Sequence, residues 1–330
     1  MSDKPKLFLH IGYAKTGTTS LQRTFFDKHP DIEFLGNIAV SPEREKAWKE
    51  FRDREFIETP NTNNSIFFDD VINTESIFFD DILVRYKNIF SEYINPNKVL
   101  VYSLEDFVTN DRNNFDLGLI ANRLHSIFSD RFDVHILATI REQKDILPSY
   151  FNTLYTGSYQ SFIDRILKTP TQKVLASFSY FEVLDYYVKL FGREKVHVML
   201  FEDFISDRKR YIEDLCEILG IKSDFSLLQD KDRLNIARKR TNGEYTVSFQ
   251  TVASIIRQRT FLRYLPMNKG LFKRLALFLN KVDFPFLTLN MTDSQKKTID
   301  NLYRDSNTKL MKEFNLNLWK YNYALKDRDL

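Results

Sequence analysis

Cysteine is almost absent from this chain: one residue, Cys216, in 330. A single thiol excludes an intramolecular disulfide and any thiolate-rich metal site, and it points to a reducing compartment. Charge of one sign is also scarce. Lys and Arg number 48 against 45 Asp and Glu, a net +3, which excludes nucleic-acid binding driven by bulk charge. Four of the five histidines, His29, His125, His135 and His197, show no metal-ligand spacing. No apolar run approaches transmembrane length. The chain opens Met1-Ser2-Asp3-Lys4-Pro5-Lys6 and passes directly into an apolar run, with no signal-peptide pattern. A cytoplasmic protein is the expectation.

What is abundant is phenylalanine, with 30 residues. A Phe-rich core accounts for most of them, with aromatic-lined clefts as a second use. A chain of this length buries a large core as one unit, and no interdomain linker is visible across 1–330. Apolar runs at Leu7–Ile11, Val99–Ser103, Val134–Ile140 and Val196–Phe201 alternate with helical patterns. That alternation indicates βαβ units, a parallel sheet and the α/β class. Asp81 to Tyr93 reads as a helix stopped by Asn95-Pro96, and Tyr211 to Leu219 as a helix closed by Gly220. Ser65–Asp70 and Ser76–Asp81 form a near-duplication too short for a solenoid repeat.

The first apolar run leads into Gly12-Tyr13-Ala14-Lys15-Thr16-Gly17-Thr18-Thr19, and a helical pattern with Leu21 and Phe25 one turn apart follows. Strand, phosphate loop and helix is the reading: backbone N–H groups, the hydroxyls and Lys15 would face an anion. A nucleotide-triphosphate loop puts Lys directly after its second glycine, to reach the outer phosphates. Here Thr18 follows Gly17, and Lys15 comes earlier. That placement suits a donor with one 5′-phosphate and a group attached to it. The alternative is an ordinary glycine-containing turn.

The third run ends in Arg141. Asp145 is expected to cap the next helix, with Pro148 in its first turn and Ser149 close behind. Arg141 and the Ser149 hydroxyl, eight residues on, offer donors for a second phosphate. The competing reading pairs Arg141 with Glu142 or Asp145. The fourth run ends in Phe201, before Glu202-Asp203-Phe204; core packing is an equally good use of that ring.

These segments together resemble the sulfotransferase family, which uses 3′-phosphoadenosine 5′-phosphosulfate (PAPS) and releases 3′-phosphoadenosine 5′-phosphate (PAP). The resemblance runs from Leu7 to about Leu219. It implies a P-loop-like three-layer sandwich with a central, mostly parallel sheet and extra helical insertions. The stretch 39–95 matches no segment of the family, and it and 240–290 are expected to be those insertions, on the substrate side. It also implies that Lys15, Thr16, Gly17, Thr18 and Thr19 hold the 5′ end, Arg141 and Ser149 the 3′-phosphate, and Phe201 the adenine, where Tyr is commoner. Asn235–Arg240 loosely resembles a basic segment closing over the 3′-phosphate, which would use Arg238 and Lys239; a solvated basic loop is the alternative. Tyr303, Asn307 and Leu310 look like the closing helix of bacterial family members thought to act on glycans, so a bacterial enzyme with a hydroxyl acceptor on a carbohydrate is implied. Family members of the secretory pathway carry a membrane anchor; no such segment is seen here.

Sulfuryl transfer is an in-line displacement. It needs a general base, a cation at the leaving oxygen and donors on both phosphates, but no metal bridging two phosphates. Lys15 is the cation. In the family, the strand at Val99–Ser103 delivers the catalytic His or Glu, and Glu105 matches the acidic variant. His10, beside the loop, is a rival base, and Glu33 a third candidate. Glu105 could instead cap the following helix. No nucleic-acid partner is expected; the stretch 257–282, basic and apolar, is a candidate contact for a membrane surface or an acidic glycan, or a solvated face. A small-molecule kinase with a degenerate loop and a non-catalytic nucleotide-binding protein are the alternative readings.

Overall fold

Strands that are central in a parallel sheet are covered on both faces and read as unbroken apolar runs. A computed structural model shows such runs in that role, and describes residues 4–35, 71, 76–91, 95, 97–108, 116–154, 159–168, 173–227 and 289–326. The strands among the described residues are β1 (Lys6–His10), β2 (Ile32–Phe34), β3 (Val99–Ser103), β4 (Asp133–Ile140) and β5 (Val196–Leu200). They form one sheet in the order β2-β3-β1-β4-β5, and every pairing among the described strands is parallel. His10 lies level with Ser103 on one side and Leu137 on the other, while Ile140 lies level with Leu200. The C-terminal ends of the four long strands therefore meet at one edge. β2, only three residues long, was not expected from the sequence.

The described helices are α1 (Thr18–Leu21), α2 (Phe79–Ser91), α3 (Leu117–Phe128), α4 (Gln143–Leu154), α5 (Tyr159–Lys168), α6 (Lys173–Ser177), α7 (Tyr180–Phe191), α8 (Phe201–Ser206), α9 (Arg208–Leu219) and α10 (Asp293–Phe314). Alternation along the strands sorts them into two layers. Leu7, Leu9, Leu100 and Ile136 pack against Ile120 and Leu124 of α3 and Leu184 and Tyr187 of α7. Phe8, Val101 and Leu137 face the other way, toward Leu21, Phe25 and Phe26 and toward Ile212 and Leu215 of α9. Each such side chain contributes roughly 1.5–3 kcal/mol when fully buried. The connections after β1 and β3 thus leave toward opposite faces, which opens a crevice between the C-terminal ends of those neighbouring strands.

Local chemistry sets the helix ends. Asp116 accepts the Leu119 N–H at 3.0 Å and caps α3. Asp207 does the same for α9, which ends at Gly220 with φ +73. Thr292 and Gln295 form a reciprocal capping box on α10. The helix after Arg141 starts two residues before Asp145. Glu142, not Asp145, is its cap, accepting the Asp145 N–H at 3.0 Å, and Pro148 lies inside the helix rather than in its first turn. Most of 39–95, all of 240–288, and Arg238 and Lys239 lie outside the described residues; α2 is the described helix within the first span. No described helix is long and apolar enough to cross a membrane.

Candidate active site

Beyond β1 the backbone follows β4 for three more residues: Ile11 N–H donates to Leu137 C=O at 2.9 Å and Tyr13 N–H to Thr139 C=O at 3.3 Å. It then turns sharply. Lys15 takes a left-handed conformation, φ +71, and Gly17 follows at φ +82. For a residue with a Cβ that geometry costs roughly 1–2 kcal/mol, so something must hold Lys15 there. Arg141 does: its Nη1 donates to the Lys15 carbonyl at 3.0 Å. At Gly17 a side chain would be tight, since a Cβ would lie 3.2 Å from both the Phe201 and Phe204 rings. The loop closes when Leu21 N–H bonds back to Gly17 C=O at 3.0 Å. The Thr16 hydroxyl is turned inward and donates to Tyr13 C=O at 2.5 Å, so it shapes the loop. Thr18 is buried beside it, and Thr19 is half-exposed.

Arg141 directly follows β4 and is itself buried. Its guanidinium carbon lies 4.8 Å from the centroid of the Phe201 ring, a cation–π contact. Phe201 is the first residue of α8 rather than the last of β5. One aromatic ring therefore backs both Gly17 and Arg141. Ser149 is buried two turns into α4.

Glu105 begins the single turn Glu105–Phe107 directly after β3, and Leu104 N–H ties this turn to His10 C=O at 3.0 Å. The cap of α3 is Asp116, so Glu105 does not serve there. Three charges act on one another across the strand ends. Burial pulls the Lys15 ammonium below its ordinary value; the Glu105 carboxylate opposes that drop and the Arg141 charge adds to it.

Beneath the loop runs a buried chain of polar groups. The Gln22 amide donates to Ser103 Oγ at 3.0 Å and to its carbonyl at 3.2 Å. Ser103 Oγ lies 2.8 Å from His10 Nδ1, His10 Nε2 lies 3.4 Å from Thr139 Oγ1, and Thr139 Oγ1 lies 3.0 Å from the Tyr211 hydroxyl. Both ring nitrogens of His10 thus have a hydroxyl partner. Burial lowers the His10 pKa to about 3. Gly12 passes directly over this ring: a Cβ there would lie 2.8 Å from Nε2. Gln22 opens a turn with an i→i+5 bond, Asp27 N–H to Gln22 C=O at 3.0 Å, the π geometry often found next to functional sites. The sequence held no signal for this chain, because its members lie up to 201 positions apart, from His10 to Tyr211.

Glu33 sits apart from these groups. It lies level with Leu100, three rows before the strand ends, and pairs with Lys98 at 3.3 Å. Tyr303, Asn307 and Leu310 line the buried face of α10. Asn307 exchanges hydrogen bonds with Gln143, 2.9 and 3.1 Å, and so fixes the start of α4. Among the described residues no group of three or more His, Cys, Asp or Glu could hold a metal ion.

A parallel sheet whose first strand runs into a glycine-bounded loop and helix defines an α/β protein of the P-loop-like class. Residues 5–315 match the model described as the sulfotransferase domain, and the chain belongs to that family, whose enzymes use PAPS and act on hydroxyl acceptors. Among solved structures it is similar to a sulfotransferase from Alicyclobacillus acidocaldarius, with 21% identity over 77% of this chain and 92% of that one, TM-score 0.42. It is also similar to a mouse sulfotransferase complexed with PAP, with 12% identity over 97% and 90%, TM-score 0.41. A third likeness is to retinol dehydratase in complex with androsterone and PAP, with 16% identity over 87% and 83%, TM-score 0.34. No curated protein matches the chain.

Proposed function

We propose that this enzyme sulfates a carbohydrate hydroxyl in the cytoplasm, with Glu105 as general base and Lys15 as the cation at the leaving oxygen. The observation that carries the reading is the convergence of Lys15, Glu105 and Arg141 from the ends of β1, β3 and β4, close enough for each charge to act on Lys15. The donor set fits a nucleotide with phosphate at both 5′ and 3′. Lys15 with the loop backbone, Thr18 and Thr19 holds the 5′ end; Arg141 and Ser149 hold the 3′-phosphate; Phe201 lies against the adenine. Thr16 and Gly17 shape the loop, and Arg238 and Lys239, which lie outside the described residues, are proposed as further partners of the 3′-phosphate. PAPS, when bound, supplies an activated sulfuryl group. Glu105 takes the proton from the acceptor hydroxyl as its oxygen attacks. Lys15 balances the charge that grows on the departing phosphate. His10 is neutral and engaged at both nitrogens, which favours a structural role over that of a base. Glu33, paired with Lys98, lies below the edge where the other groups meet.

The carbohydrate acceptor rests on Glu105 and on the resemblance of the Tyr303, Asn307 and Leu310 helix to that of glycan-modifying members. It is tested by incubating the enzyme with PAPS and a panel of saccharides, phenols and sterols, following PAP release and the mass of the products. A saccharide that gains one sulfuryl group is expected. Sulfation confined to phenols or sterols would overturn the acceptor, and a phosphorylated product made from ATP would overturn the sulfuryl reading.

A further inference from the structure

Arg141 reaches the cleft from the position just past β4, and its guanidinium must hold the Lys15 carbonyl and, in the reading above, a 3′-phosphate. The residue is held from three directions. The Tyr180 hydroxyl donates to the Arg141 carbonyl. The next N–H, that of Glu142, donates to Glu202 Oε1 at 2.8 Å. Phe201, beside Glu202 at the start of α8, lies under the guanidinium. Two consecutive residues of one helix start thus hold both the peptide and the side chain of Arg141. Glu202 is fixed in turn by the Tyr323 hydroxyl, 3.3 Å from Oε2, and the neighbouring Asp203 accepts from Tyr321 and Lys320 of the C-terminal segment. Burial raises the Glu202 pKa above its ordinary value and the Arg141 charge acts against that rise, as expected for a carboxyl that stands behind the arginine in a dry site.

We infer that Glu202 is a positioning residue: through the Glu142 N–H it sets the turn after β4, and so aims the Arg141 guanidinium at the 3′-phosphate. This rests on the assignment of Arg141 proposed above. A hydrogen bond to a carboxylate is strong only when both partners are in place, and a charged fork that swings by an ångström loses most of its contact with a phosphate. The geometry of the bond depends on the length of the Glu202 arm and on one acceptor oxygen; its charge adds strength to the bond but does not set where it points.

The test is calorimetry of PAP and of AMP, which lacks the 3′-phosphate, on the full chain carrying Glu202→Ala, Glu202→Asp, Glu202→Gln or Arg141→Ala. Glu202→Ala and the shorter Glu202→Asp should each weaken PAP about tenfold or more and weaken AMP clearly less, through the Lys15 carbonyl that Arg141 also holds. Glu202→Gln keeps an acceptor oxygen at the same reach and should retain the PAP-over-AMP preference. Adding Glu202→Ala to Arg141→Ala should cost no further preference, because the two act as one. A merely structural glutamate would weaken both nucleotides alike and add its effect to that of Arg141→Ala, and either result overturns the inference. If Glu202→Ala does not fold, Glu202→Asp decides. If Arg141→Ala itself leaves the preference intact, the 3′-phosphate assignment fails; if it abolishes the preference while Glu202→Ala and Glu202→Asp do not, only the positioning role fails.

Discussion

Gly17→Ala perturbs the phosphate loop at one atom. The residue sits at φ +82, where a Cβ costs roughly 1–2 kcal/mol in backbone strain. The added methyl would also lie 3.2 Å from the Phe201 and Phe204 rings, so those rings must shift by a few tenths of an ångström. Phe201 cannot shift alone, because Arg141 rests over it at 4.8 Å. The variant should therefore lose stability and nucleotide affinity together. At no more than about 2–4 °C per kcal/mol, the melting temperature should fall by about 2–6 °C, read by differential scanning fluorimetry. PAP should bind several-fold more weakly by calorimetry. Gly118→Ala is the control, since it lies in α3 and its Cβ would meet Tyr186 at 3.4 Å, an ordinary contact. Alanine there should stabilise by roughly 0.5–1 kcal/mol and leave PAP binding alone. Gly17→Ala as stable as the native chain, with unchanged PAP affinity, would refute the account of the loop.

Other consequences follow from the same geometry. Glu105→Gln should lower turnover by about 10²–10⁴-fold with PAP affinity and melting temperature nearly unchanged, since Asp116 and not Glu105 caps α3; a large loss of stability with turnover retained would point to a structural role. Lys15→Gly should relieve the left-handed strain at φ +71 and stabilise by about 1 kcal/mol, while turnover drops more than PAP binding; chelator should leave the native enzyme active, because in the proposed role Lys15 rather than a metal balances the leaving oxygen. The His10 pKa of about 3 lies below the unfolded value, so its contribution to stability is complete above about pH 6.5 and is lost as pH falls toward 3. Glu142, raised to about 8 by burial, carries the opposite sign between pH 4.5 and 8. Comparison with His10→Asn isolates the histidine: in denaturant titrations the stability gap between native and variant should narrow by about 2 kcal/mol from pH 7 to pH 5, and an unchanged gap would contradict a buried neutral imidazole.

The four long strands were legible because each is covered on both faces and so reads as an apolar run. The loop at Gly12–Thr19 was legible because glycine and lysine spacing is local. Ile32–Phe34 was not, since three residues carry no periodicity and its middle residue is Glu33. The widened turn at Gln22–Phe26 was invisible for a related reason: Leu21, Phe25 and Phe26 suit an α-helix as well as a π turn. The start of α4 was misjudged because Asp145 is the commoner cap, whereas the longer Glu142 reaches the same N–H. Side-chain partners far apart in sequence, such as Glu202 with the Glu142 N–H and Gln22 with Ser103, follow from topology. Only the strand order, which brings β3, β1, β4 and β5 to one edge, reveals them.

The central claim is that one ligand spans two anion sites, the Lys15 loop and Arg141 with Ser149. It is tested most directly by titrating PAP, ADP and AMP into the native chain in a calorimeter at one salt concentration. PAP and ADP carry the same number of phosphates in different places, so charge alone does not separate them. The account predicts that PAP binds much more tightly than either ADP or AMP; equal affinities for PAP and ADP would contradict it.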